Sequence, residues 1–144
     1  MNSKLDELKK IATKFRKAMD TLNDNYDLED FYPFRRFPNG ACGETSEFFI
    51  FYMQEKYNLM ADYWLGEFVG GGKHSWAQVG HICVDLTADQ FNSDSLRFKS
   101  VIVCKEDEYP LKDFLLSRKI GSKPELTSYN YNMYCKIKAL LKEL

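Results

Sequence analysis

The chain has 144 residues, and its 20 lysines and arginines nearly balance 21 aspartates and glutamates, giving a formal net charge of −1. Binding to nucleic acid without regard to sequence needs a basic surface that displaces counterions, so this balance argues against a nucleic-acid partner. The N-terminus has no apolar signal region, and no apolar run approaches the roughly 20 residues that cross a bilayer. We therefore expect no membrane partner and a cytoplasmic protein, with non-classical delivery to another cell left open.

The length is that of one domain, which we expect to span residues 1–144. In residues 3–22, apolar residues recur at three- and four-residue steps with charged residues between them, which predicts an amphipathic helix. Residues 23–39 are polar and aromatic and contain Pro33 and Pro38, which indicates a long loop packed through its aromatic side chains. This loop delivers the chain to Cys42.

A second helix is predicted from Cys42 to Tyr57, because Ser46, Phe49 and Met53 begin an apolar stripe at the helical period. Cys42 therefore lies where a turn becomes a helix. The field of a helix N-terminus favours a thiolate and lowers the pKa of a thiol, so this is a favourable position for a nucleophile.

Four strands are expected next, at residues 61–69, 73–79, 82–87 and 98–104. Gly80 and His81 are the candidate turn between the second and third strands, because glycine supplies the positive φ of a tight turn. Pro110 is compatible with a short helix through Arg118, and a C-terminal helix is predicted for residues 129–144. This order of elements predicts an α+β fold with an antiparallel sheet.

The hairpin register decides whether an imidazole and a carboxylate can meet. A two-residue loop opposes Val79 to Ile82 and places His74 and Asp85 on one face as diagonal neighbours, with Cβ atoms roughly 7 Å apart. A three-residue loop would put them on opposite faces. Asp85 also stands within an apolar strand, where a carboxylate has to be exposed or paired.

These residues suggest the chemistry of a catalytic triad. Cys42 would attack a carbonyl carbon, His74 would take its proton, and Asp85 would orient the imidazole. The backbone N–H of Cys42 could donate to the oxyanion, with the side-chain amide of Asn39 as the candidate second donor. Trp76 is the candidate wall of a substrate groove.

Other residues have simpler interpretations. Asp89 is the rival carboxylate, although its loop position favours a turn or capping role, and His81 is a turn residue. Cys83, Cys104 and Cys135 are interpreted as small buried side chains. The cysteines are expected to be reduced, and their spacing disfavours a zinc site, so no metal and no cofactor are expected.

The run Asn-Gly-Ala-Cys-Gly-Glu at residues 39–44, the His-Ser-Trp at 74–76 and the Val-Asp-Leu-Thr-Ala-Asp-Gln-Phe at 84–91 resemble the transglutaminase-like branch of the papain-like cysteine hydrolases. The resemblance covers about residues 35–95. It implies a papain/transglutaminase-like fold, in which the nucleophile begins a central helix packed on an antiparallel sheet. Arylamine acetyltransferases share a similar turn but are much longer, and papain carries a glutamine at the offset occupied here by Arg36.

The resemblance also implies acyl transfer from an amide of a protein or peptide substrate, as peptide cleavage, glutamine deamidation or transglutaminase-type transfer. No cofactor is implied, because the thiolate and the imidazole carry the reaction. The alternative is a catalytically inactive papain-like fold that serves as a protein-binding module. A thiol-based metal or redox protein is disfavoured by the cysteine spacing.

Overall fold

The computed structural model describes residues 3–25, 27–28, 31–121 and 125–143. Within these ranges three α-helices are present: α1 (Ser3–Asp24), α2 (Cys42–Tyr57) and α3 (Ser128–Leu141). The bounds of α2 are those predicted, α1 continues two residues further, and α3 begins one residue earlier. Leu144, included in the predicted C-terminal helix, lies outside the described residues.

The strands form one five-stranded sheet in the order β4-β3-β2-β1-β5, and all neighbouring strands are antiparallel. The strands are β1 (Asp62–Phe68), β2 (Lys73–Val79), β3 (Ile82–Asp85), β4 (Ile102–Lys105) and β5 (Leu115–Ile120). This confirms the predicted α+β class and the antiparallel sheet.

Other predicted elements also differ in the structure. The predicted strand at residues 82–87 ends at Asp85, and the predicted helix at residues 129–144 ends at Leu141. The predicted strand at residues 98–104 begins only at Ile102. At the start of the predicted strand, the Asn92 side chain accepts from the N–H of Phe98 at 2.5 Å and donates to its C=O at 3.1 Å, so the backbone of Phe98 is not available for strand pairing. The short helix expected from Pro110 to Arg118 is wrong: one turn of 3₁₀ helix is followed by β5, which pairs with β1. Pairing with the edge of the sheet overrides the local preference.

The helices cover one face of the sheet. Ala77, Val79 and Val84 belong to a buried cluster that also contains Phe15 of α1 and Phe49 of α2. Leu28, Phe31, Phe34 and Phe37 of the intervening loop join this cluster, as the aromatic content of residues 23–39 predicted. Residues 26, 29 and 30 of the loop lie outside the described part. Burying one such phenylalanine contributes about 1.5–3 kcal/mol, so the cluster fixes α2 against the sheet.

A second, smaller buried cluster lies on the other face of the sheet and contains Trp76, Cys83 and Tyr109. Because side chains alternate along a strand, His74 shares this face with Trp76, and Asp85 shares it with Cys83. The hairpin β2–β3 has the two-residue register, since Val79 pairs with Ile82.

Gly80 in the hairpin turn has a φ of +60°, as a tight turn of this kind requires. The turn residue His81 is exposed and contacts Glu106 at 3.1 Å. Among the residues that the structure describes, no helix is both long enough and apolar enough to span a membrane.

Candidate active site

Cys42 is the first residue of α2, as predicted, and its side chain is half-buried. The helix start is held in place because Phe48, Phe49 and Met53 of the same helix are fully buried. The Thr45 N–H donates to the Ala41 carbonyl at 3.0 Å and closes the first turn. The remaining N–H groups of a first turn have no acceptor within the helix, so this end carries partial positive charge beside the thiol.

His74 and Asp85 are in direct contact on neighbouring strands. His74 Nε2 lies 2.7 Å from Asp85 Oδ2, and neither side chain has any exposed surface. The two-residue hairpin loop produces this contact, because it puts both residues on the same face. A three-residue loop would have separated them by the thickness of the sheet.

The Asp85 carboxylate has two further hydrogen bonds that compensate for its burial. The Tyr109 hydroxyl donates to Oδ2 at 2.7 Å, and the Thr87 N–H donates to Oδ1 at 3.0 Å. Burial by itself raises the pKa of Asp85, but the charge of His74 and these donors outweigh it, so the pKa is lowered. The carboxylate is therefore kept ionised beside the imidazole.

The Cys42 thiol interacts with the imidazole of His74 as well. Nδ1 of His74 is buried and makes no hydrogen bond of ordinary geometry with the described residues. Burial acts to raise the pKa of Cys42, but the interactions of the thiol with His74 and with the backbone of Ser75 outweigh it and lower the pKa. Because Nε2 is engaged by Asp85, Nδ1 is the nitrogen available to the thiol proton.

The same pairing raises the affinity of the imidazole for its proton. Burial lowers the pKa of His74, yet the charge of Asp85, its hydrogen bond and the Cys42 thiol together raise that pKa to about 10. A lowered thiol pKa beside a raised imidazole pKa favours a thiolate–imidazolium pair. The two values describe the pair as a unit.

The thiol pKa values of Cys83, which is buried, and Cys104, which is half-buried, are shifted in the opposite direction. Burial first, and then neighbouring charges, raise the pKa of Cys83 to about 12 and that of Cys104 to about 11. These two residues face each other across β3 and β4, and both are free thiols, as are Cys42 and Cys135. Within the described ranges, no group of three histidine, cysteine or acidic side chains is placed to hold a metal.

Three aromatic rings enclose the imidazole. Phe91 packs edge-on at 4.9 Å between ring centroids, Trp76 stacks at 6.0 Å and Phe68 at 6.3 Å. Trp76 has no exposed surface, and its Nε1 donates to Gln78 Oε1 at 3.0 Å. The expectation that Trp76 walls an open groove is thereby corrected: the indole supports His74 from within the core.

Asp89 does not serve as the orienting carboxylate. Its two oxygens accept from Arg16 Nη1 and Nη2 at 2.8 and 2.9 Å, in the paired geometry that a guanidinium favours. Arg16 is itself buried and also donates to the Leu86 carbonyl at 2.8 Å. This ion pair ties α1 to the 3₁₀ turn Ala88–Phe91, which carries Phe91 to the imidazole.

Asn39, the candidate second donor to the oxyanion, is exposed. Its backbone N–H donates to the Arg36 carbonyl at 2.7 Å, and the residue lines a groove together with Gly40 and Gln90. Its role as a donor to the oxyanion stays a prediction.

Sequence reasoning missed two contributors to the site. Tyr109 is 24 residues from Asp85 in the chain, and no local motif marks it. Phe91 belongs to the sequence motif at residues 84–91, but the motif does not indicate that its ring packs on His74.

Comparisons of the chain with protein-family models, with curated proteins and with solved structures gave no match.

Proposed function

We propose that this protein is a cysteine-dependent acyl-transfer enzyme that acts on an amide of a protein or peptide, with a papain/transglutaminase-like fold and a Cys42-His74-Asp85 triad. The observation that carries the proposal is the buried 2.7 Å contact between His74 Nε2 and Asp85 Oδ2, which leaves Nδ1 to the thiol. The lowered pKa of Cys42 supports the same assignment. A thiolate at neutral pH is the form that attacks.

The reaction runs in two halves. The Cys42 sulfur bonds to the carbonyl carbon, the C–N bond breaks, and the His74 imidazolium gives its proton to the departing nitrogen. The resulting thioester is attacked by water or by an amine, whose proton passes to His74, and the Cys42 thiolate is released, which restores the thiolate–imidazolium pair. Asp85 holds the ring and favours the imidazolium throughout. Water as acceptor gives peptide cleavage or deamidation, and an amine gives transglutaminase-type transfer.

The alternative function is a protein-binding module that retains the fold without turnover. One observation favours it: His74 has no exposed surface, and Phe68 and Phe91 cover its ring. A reacting imidazole needs access to the leaving group, although the half-buried thiol provides an entrance on its own side. The reactivity of Cys42 separates the two functions.

The test is alkylation by iodoacetamide at pH 6, followed by peptide mass analysis that distinguishes the four cysteines. We expect Cys42 to react at least tenfold faster than Cys104, which is also half-buried but has a raised pKa. His74→Gln should remove this advantage, and Asp62→Asn, which changes an exposed side chain at the start of β1, is the control that should keep it. Equal labelling of Cys42 in the wild type and in His74→Gln would refute the triad and favour the binding module.

A further inference from the structure

A basic groove begins two residues before the nucleophile. It has a volume of about 530 Å³, and its wall includes Arg35, Arg36, Asn39, Gly40 and Gln90. Each pair of consecutive Cα atoms is about 3.8 Å apart, so the Cα of Gly40 lies within about 7.6 Å of that of Cys42. One wall of the groove is therefore within reach of a substrate residue next to the reacting amide.

The groove carries positive charge, and no described residue supplies a local counterion. None of the described residues that line it is acidic, and neither arginine makes an ion pair within the described part of the chain. Arg35 only packs over the ring of Tyr32, at 5.4 Å. In a chain whose formal net charge is −1, two adjacent unpaired guanidinium groups are a local excess.

A continuous series of hydrogen bonds joins the groove to the triad. The Gly40 N–H donates to Gln90 Oε1 at 3.3 Å, and Gln90 Nε2 donates to the Thr87 carbonyl at 3.0 Å. The Thr87 N–H in turn donates to Asp85 Oδ1 at 3.0 Å. The Gln90 side chain is thus fixed in the groove by the backbone that also fixes the catalytic carboxylate.

From this arrangement we propose that the groove binds a carboxylate of the amide substrate, so that the enzyme prefers an acidic residue next to the bond it attacks. The inference rests on the proposed function of Cys42. Guanidinium groups present a planar fork of donors that matches a carboxylate, and the side-chain amide of Asn39 adds a neutral donor beside them. The charge of the groove excludes a lysine or arginine at the same position of the substrate.

The first test compares two alkylating agents of similar size, iodoacetate with a negative charge and iodoacetamide without one. In each, the Cys42 sulfur bonds to the methylene carbon and iodide leaves, so the ratio of the two rates reports the charge around the thiol. Two positive charges at the distances of this groove should raise the ratio about threefold or more, and salt should reduce the effect. We expect Arg35→Gln/Arg36→Gln to lose that gain.

The matched control is Arg97→Gln/Lys99→Gln, which removes two positive charges from a different cavity. It should leave the ratio unchanged. The proposal is overturned if the ratio falls equally in both double variants or if it falls in neither of them. Rapid labelling of Cys42 by iodoacetamide at pH 6 tests the proposed function separately, because that rate does not require the groove.

The second test asks which anion the groove accepts, measured as protection of Cys42 from iodoacetamide. The probes are N-acetylglutamate N-methylamide with only a side-chain carboxylate, N-acetylalanine with only a terminal carboxylate, the neutral N-acetylglutamine N-methylamide, and inorganic phosphate. Protection by either carboxylate that disappears in Arg35→Gln/Arg36→Gln supports the proposal and identifies the source of the carboxylate. Protection by phosphate alone, or equal protection by the neutral amide, overturns it.

Discussion

Replacement of Asp85 by asparagine separates the charge of the triad carboxylate from its shape. The variant keeps the size of the side chain and an oxygen that can accept from the Thr87 N–H, but it removes the negative charge that His74 Nε2 contacts at 2.7 Å. Burial then acts on an imidazole without its principal counter-charge. Because burial disfavours the charged form, the pKa of His74 should fall to or below its ordinary value.

The magnitude follows from the pKa of His74, which the structure raises from 6.5 to about 10. At pH 8 a group with a pKa of about 10 is roughly 99% protonated, whereas one at or below 6.5 is about 3% protonated or less. Loss of the imidazolium alone should lower turnover about 30-fold. If the neutral imidazole also adopts the wrong tautomer, the loss should extend toward about 10⁴-fold.

The assay measures the rate of Cys42 alkylation from pH 5 to pH 10, because it needs no knowledge of the substrate. In the wild type the thiolate forms below the ordinary pKa of a thiol, since His74 outweighs the effect of burial and lowers the pKa of Cys42. In Asp85→Asn the imidazole is largely neutral, so the pKa of Cys42 should rise. The labelling profile should move to higher pH, and the rate at pH 6 should fall about tenfold or more.

Asp62→Asn is the matched control, because it removes the charge of an exposed carboxylate at the start of β1. Its labelling profile should coincide with that of the wild type. Identical profiles for Asp85→Asn and the wild type would refute the electrostatic reasoning and reduce the site to a Cys-His pair. The same refutation would follow if Asp62→Asn produced the shift.

Three further outcomes are expected. Cys42→Ser should abolish activity while changing the melting temperature by less than about 3 °C, because the residue is half-buried at a helix start; a fall as large as a core cavity causes would make it a packing residue. Tyr109→Phe keeps the buried ring but removes the donor to Asp85 Oδ2, so the free energy of unfolding should fall by about 1–2 kcal/mol. Tyr109→Phe should also raise the pKa of Asp85. Because the carboxylate then shares its negative charge with one donor fewer, the imidazolium is held more strongly and the alkaline limit of activity should move to higher pH. An unchanged pH profile would mean that the hydroxyl only fills space. Arg16→Met should destabilise the fold by about 2–4 kcal/mol in denaturant unfolding, because it leaves Asp89 unpaired; a change below 0.5 kcal/mol would show that the ion pair is dispensable.

The sequence predicted the features of the site that depend on local chemistry. Glycine at residue 80 indicated a tight turn but left two- and three-residue loops open. Counting back from a two-residue loop placed His74 and Asp85 on one face, and the structure has that register. The helical period placed Cys42 at the first residue of α2. Each of these steps uses contacts between residues that are close in the chain.

The features that the sequence did not reveal depend on distant contacts. Arg16 and Asp89 are 73 residues apart, and nothing near either residue indicates that they pair. An aromatic residue within a strand is compatible with a groove or with a core. Only the assembled sheet shows that Trp76 of β2 has no exposed surface. The strand β5 was missed for the same reason, because most of its side chains are exposed and its pairing with β1 defines it.

The nucleophile and its base come from different layers of the molecule, and this has a consequence for the newly made chain. His74 and Asp85 are 11 residues apart in the chain and belong to one hairpin, so this pair can form early and locally. Cys42 is 32 residues before His74 and reaches the imidazole only when α2 packs onto the sheet. During synthesis and refolding the thiol therefore keeps the low reactivity of a free cysteine, and it becomes a strong nucleophile only once α2 has packed onto the sheet.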